Sequence, residues 1–327
     1  MKQHLQRINH RAAFKRYGDS MSTIPSPTLG KDGFRSEPDP CGSNPLARAR
    51  WSRTGYAVVL TAPMAICQIA LFLGPLVFLI GLSFWLVRNF QLMPAFDTVN
   101  WIRMFEQPHF RGSFLRTLVQ AGAAAVITSA VSFPAAYAMA FFLSAQRRRL
   151  VVFLLVTPFF TSYLVRVYAW QTFLSDQGIV NGALGLFGVG PVPMLNTPFG
   201  TMVGYLTLSL PLVVLIQYMA LSMVDRNHIE AAHNLGCAPF RTVFKVTIPS
   251  ARAGLTIAAL FCFIFSFGDF ISPMYLGGGT APTLSMLIID ATKAGQQWPR
   301  AAVVSIVMIA TLMAVAIAAT TYAYRRR

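Results

Sequence analysis

The sequence is short of charge. Lys, Arg, Asp and Glu supply 12% of its 327 residues, where soluble domains carry about a quarter. A soluble fold of this size needs far more polar surface, so the composition argues against a soluble enzyme. Cysteine is also scarce. Cys41, Cys67, Cys237 and Cys262 are scattered, which excludes a disulfide-framed secreted domain. No Cys-x-x-Cys or Cys/His cluster occurs, so neither a metal site nor a redox motif is expected. Of the five His, at 4, 10, 109, 228 and 233, none falls in an apolar run. No Gly-x4-Gly-Lys-Ser/Thr loop is present, and Gly30-Lys31 lacks the upstream glycine. No Ser/His/Asp or paired-carboxylate set has catalytic spacing either. The chain is therefore expected to hold no catalytic residue and no cofactor, and not to hydrolyse ATP. No apolar stretch follows the start closely, so a cleavable signal peptide is not expected.

What is abundant is apolar. Hydrophobic residues make up 55% of the chain. A bilayer core of about 30 Å needs about 20 apolar helical residues per crossing. Six runs qualify: 56–87, 114–143, 150–174, 199–224, 253–276 and 301–324. Prolines inside them, such as Pro63 and Pro158, are tolerated when neighbouring helices satisfy the freed carbonyls. The expected fold class is all-α: a polytopic membrane protein with six transmembrane helices.

The net charge of +16 could suggest nucleic acid. Its placement explains it otherwise. Twenty of the 27 Lys and Arg fall before the first run, after the second, after the fourth and in the tail, and five fall on the other side. Cytoplasmic loops collect such residues. Both termini are thus expected in the cytoplasm, with no nucleic-acid partner. Residues 1–55 read as a basic, disordered leader that either binds anionic lipid or is merely solvated. Residues 325–327 form a basic tail.

The loop after the fourth run carries the most information. Asp225 suits a helix N-cap, Gly236 a left-handed C-terminal position and Pro239 the first turn of a second helix. Phe240, Val243, Phe244 and Thr247 would share a face, and Pro249 would end the segment. Two short amphipathic cytoplasmic helices at a sharp angle follow, with Ala231 and Ala232 small enough for a partner to approach closely.

With Glu230-Ala231-Ala232, Gly236 and Val246-x-Ile248-Pro249, this loop resembles the EAA loop of ABC importer permeases. The resemblance implies that Glu230, Ala231, Ala232, Gly236 and Pro249, within 225–249, form a coupling surface for an ATP-binding subunit. It deepens over residues 56–324. Pro158 to Trp170, Asp176-x-Gly178 with Asn181, Ser266 to Pro273, Gly277-Gly278 and Trp298 to Ala302 look like spermidine/putrescine-type permeases. The leader is longer than that pattern needs. The implied setting is a bacterial inner membrane. The implied partners are two ATP-binding subunits that hold ATP and Mg, a second permease and an external substrate-binding protein.

Two charges stand out inside apolar runs, where charges are costly and tend to face a pathway or a partner. Asp269 could bind a cationic cargo in transit, with Tyr168, Trp170, Phe267 and Phe270 offering aromatic faces. Alternatively it pairs with Arg166, or caps a helix broken at Gly268. Arg166 is either structural or lines the pathway, where it would favour an anion. Asp290 and Trp298 either meet a delivery protein or are solvated. The implied cargo is putrescine or spermidine. Another organic cation, an amino-acid-like solute or an anion would suit the same fold, and a stand-alone channel or secondary carrier is the reading from a different class.

Overall fold

The computed structural model describes residues 53–88, 91–188, 190–279, 281–293 and 296–325. The expected leader lies outside them as far as residue 52, as do Arg326 and Arg327. The chain divides into two units, Met1–Ala65 and Ile66–Arg327. Described residues 53–65 of the first are helical throughout.

Helix α1 (Arg53–Gln68) runs through a π turn, Ile69–Leu73, into α2 (Gly74–Ser83). The first crossing ends there, short of the expected Val87. The side-chain amide of Asn100 donates to the carbonyls of Ser83 (3.2 Å) and Trp85 (2.8 Å). That satisfies helix-end carbonyls and turns the chain into a small hairpin. Its strands, β1 (Leu86–Arg88) and β2 (Gln91–Met93), pair antiparallel with Val87 opposite Leu92. The amphipathic helix α3 (Val99–Glu106) follows.

Helix α4 (Pro108–Phe141) starts six residues before the expected boundary, with Pro108 in its first turn. Its buried stripe is Ser113, Thr117, Ala121, Ala124, Thr128, Ser132, Ala136 and Ala140, almost all small and spaced by three or four. Small residues let α8 (Pro198–Ser222) and α11 (Ile248–Gly268) come close. Gln217 of α8 donates to the Ser129 carbonyl of α4 at 3.1 Å, and Cys262 of α11 lies 3.2 Å from Ser209 of α8. Helix α14 (Trp298–Tyr324) packs on α11 and on α13 (Leu284–Lys293). The larger side chains mostly point outward, among them Leu71, Phe78, Val126, Phe153, Met219 and Ile317.

The third crossing is not the single run 150–174. Helix α5 (Ala145–Val156) tightens into a 3-10 turn, Thr157–Phe160, and the chain then extends at Thr161 and Ser162. Helices α6 (Tyr163–Leu174) and α7 (Ile179–Leu186) follow, and the two halves meet at 95°. Pro158 cannot donate its missing N–H, and the extended backbone at Ser162 restarts the helix. Among the described residues, five helices are long and apolar enough to cross a membrane, and the count is six if this bent pair is one crossing.

Candidate functional site

Two places gather the residues singled out in the sequence. The first is the loop after α8. Asp225 caps α9 (Arg226–Asn234), its carboxylate accepting from the Asn227 N–H at 2.9 Å. The helix ends at Gly236, whose φ of +79° suits glycine. The Gly236 N–H donates to His233 O (2.9 Å) and the Cys237 N–H to Ala232 O (3.0 Å). This paired closure satisfies the last carbonyls and reverses the chain. Pro239 then opens α10 (Pro239–Thr242).

Two expectations are corrected here. Pro249 does not end the segment. A π turn, Val243–Thr247, carries α10 into α11, and Pro249 falls directly after it as the second residue of α11. Pro239–Gly268 is therefore one helical run of 30 residues. The wide turn also shifts the facing: Phe240 and Phe244 are exposed, whereas Thr247 is fully buried. Glu230, Ala231, Gly236 and Pro249 are exposed, while Ala232 is largely buried and reaches the surface only at the wall of a groove. His228, Ala231, Leu235, Lys245 and Pro249 line an open groove of about 530 Å³.

The second place is where the fifth crossing stops. Asp269 does not lie mid-helix. It follows the last residue of α11 with an extended backbone (φ −72°, ψ 130°), before the short helix α12 (Ile271–Tyr275). Its Oδ1 accepts from the Ile271 N–H (2.9 Å). Its Oδ2 accepts from the Ser272 N–H (3.2 Å), the Ser272 hydroxyl and the Tyr163 hydroxyl (2.7 Å). Asp269 thus caps a broken helix, the last of the three arrangements the sequence allows. It does not pair with Arg166, whose Nη1 donates to Thr207 O of α8 at 3.1 Å and whose guanidinium lies 5.7 Å from the Tyr163 ring centre.

Helix α12 sits against α8 through glycines. A Cβ on Gly200 would collide with the Leu276 carbonyl, and one on Gly204 with the Ser272 side chain. Around this point the aromatic candidates separate. Phe267 is fully buried and stacks on Phe263. Tyr168 is exposed and meets Tyr275 edge-on at 5.1 Å, and Phe270 is partly exposed. Trp170 lines a cleft of about 220 Å³ with Arg166, Phe173 and Thr207. Tyr163 was not singled out from the sequence. Its only signal there was its place just after Thr161-Ser162, a short polar step in an apolar run. Elsewhere, Asp290 lines an outer cleft with His109 and Arg300, and Trp298 opens α14. Among the described residues, no three His, Cys, Asp or Glu side chains converge to hold a metal ion.

Residues 129–327 match the family described as binding-protein-dependent transport system inner membrane component. The chain belongs to that family. It is a multi-pass inner-membrane permease of the ABC importer class. A Haemophilus influenzae protein named spermidine/putrescine transport system permease protein PotB is 30% identical over 220 residues, covering 67% of this permease and 76% of the relative. The fold matches a solved bacterial ABC transporter involved in the import of the acidic polysaccharide alginate. There the TM-score is 0.68 and identity 18%, over 83% of the permease and 94% of that chain. The alginate transporter in complex with alginate pentasaccharide-bound periplasmic protein matches at a TM-score of 0.63 and 18% identity, over 83% and 93%.

Proposed function

We propose that the permease forms the pathway by which a polyamine of the putrescine or spermidine class enters the cell. The observation that carries this reading is the 30% identity to a relative named for those two solutes, over two thirds of the permease. The energy comes from ATP hydrolysed, with Mg, in two separate ATP-binding subunits. They dock on the 225–249 loop, where Glu230, Ala231, Gly236 and Pro249 are exposed beside a groove edged by Leu235. Ala232 lines that groove, and the Gly236 turn sets its shape. A second, related permease completes the pathway, and a periplasmic binding protein delivers cargo. The periplasmic protein bound to the fold neighbour supports that last partner. The distribution of Lys and Arg supports placing both termini in the cytoplasm.

For the cargo, the exposed Tyr168 and Phe270 and the cleft-lining Trp170 offer aromatic faces to an ammonium group, and four hydrogen bonds hold the Asp269 carboxylate in place. Phe267 packs in the core and takes no direct part. One observation favours a different cargo on the same fold: the Arg166 guanidinium borders an open cleft and would attract an anion.

The test is the ATPase rate of the complete complex in lipid, with binding protein and spermidine, putrescine or unrelated solutes. Stimulation by a polyamine supports the proposal. Stimulation only by an anion transfers the cargo assignment to Arg166. Transport by this chain alone, indifferent to ATP, replaces the importer with a carrier.

A further inference from the structure

The bent pair breaks, the long helix of the fifth crossing ends, and these two points touch. The pair breaks at Thr161 and Ser162, directly before Tyr163. The long helix stops at Asp269. The residues are 106 apart in sequence, yet the Tyr163 hydroxyl donates to Asp269 Oδ2 at 2.7 Å and also meets the Ser272 hydroxyl. Among the described residues, every side-chain hydrogen bond joining the two breaks passes through that one hydroxyl.

The fifth crossing reaches this point without interruption from the cytoplasmic loop. Pro239–Gly268 is 30 residues of continuous helix, or about 45 Å at 1.5 Å per residue. A displacement of Phe240 or Phe244 would reach Gly268 along this run, past the π turn Val243–Thr247 and Pro249. Asp269 is bonded onward to α12, and its carbonyl accepts from Ser285 of α13 at 2.9 Å. Its bond to Tyr163 is the direct link from Asp269 to α6, the helix that carries Arg166, Tyr168 and Trp170, and the edge-on contact of Tyr168 with Tyr275 joins α6 to α12 beside it.

We infer that Tyr163 is a positioning residue of the transport cycle: its hydroxyl passes displacement of the Pro239–Gly268 helix to α6 through Asp269. The inference rests on the fold and on ATP-driven movement of the 225–249 loop. It does not depend on the cargo. A merely structural Tyr163 would instead satisfy a buried carboxylate, and its loss would lower stability without separating the two segments.

Hydrogen exchange of the complete complex in lipid distinguishes these, read with and without ATP plus vanadate and with no cargo added. In the wild type, peptides spanning 157–174 and 266–276 both change on trapping. In Tyr163→Phe, which keeps the ring beside Arg166, the change at 266–276 persists and that at 157–174 drops roughly fivefold. Tyr163→Leu, which also lacks the hydroxyl, is the second variant, should the first not assemble, and the same split is expected. Ser272→Ala, which leaves the Tyr163–Asp269 bond in place, keeps both responses. Equal responses in the two segments of Tyr163→Phe and Tyr163→Leu, whether both intact or both lost, overturn the inference.

Discussion

Gly204 of α8 lies so close to Ser272 that a single added carbon at Gly204 would overlap the serine side chain. Ser272 belongs to the short helix whose start Asp269 caps. The α8 surface and the broken end of the fifth crossing therefore hold each other in register. Gly204→Ala is expected to destabilise the permease by about 1–3 kcal/mol through overpacking. Gly122 of α4 has open space where its Cβ would be. Gly122→Ala is expected to be neutral, or to stabilise by about 1 kcal/mol through helix propensity. Thermal unfolding of the two variants in the same lipid checks the contrast.

Gly236 presents the opposite case. Nothing lies within 4 Å of its would-be Cβ, but its φ is +79°. The demand is on the backbone, where a side chain costs about 1–2 kcal/mol. Gly236→Asn, a residue that tolerates this region, should retain most of the ATPase coupling. Gly236→Ala should lose part, and Gly236→Val most, with the permease still inserted. Membrane yield and stimulated ATPase rate, measured side by side, separate the two effects.

Removing the cap of α9 should loosen the loop without unfolding the membrane part. Asp225→Ala deletes the carboxylate bonded to the Asn227 N–H, at a cost of about 1 kcal/mol. Faster amide exchange is expected over 226–234, with 198–222 unchanged. Asp225→Asn should restore most of the protection.

Cysteine labelling tests the orientation. Cys237 is half-buried on the 225–249 loop, and Cys262 is fully buried between helices. A membrane-impermeant maleimide should modify Cys237 in inside-out vesicles and not in intact cells. Modification of Cys237 in intact cells would reverse the topology argued from Lys and Arg.

The crossings were legible because hydropathy reports them directly, and the loop because Asp225, Gly236 and Pro239 each make a local demand on the backbone. What escaped depended on contacts distant in sequence. Nothing apolar distinguishes Leu150–Val156 from Tyr163–Leu174, so the 95° bend between them is hidden inside one hydrophobic run. Pro249 looked like a stop because a proline usually is one. Only the π turn before it, a matter of three-dimensional winding, lets the helix continue. Asp269 was conspicuous as a charge, but its partner Tyr163 looked like one more aromatic residue. Phe267 resembled Phe270 three residues on, and only packing shows that one faces the core and the other does not.

The stripe on α4 inverts the usual rule for damaging substitutions. In a water-soluble protein the harmful change removes atoms from a large buried residue. Here Ala121, Ala124, Thr128, Ser132 and Ala136 fill the interior, while Leu115, Val119, Val126 and Val131 point away. Enlargement of the inward set should wedge the helices apart, whereas trimming the outward set should pass nearly unnoticed unless a partner subunit covers it. Along this stripe the interior is guarded against gain rather than loss.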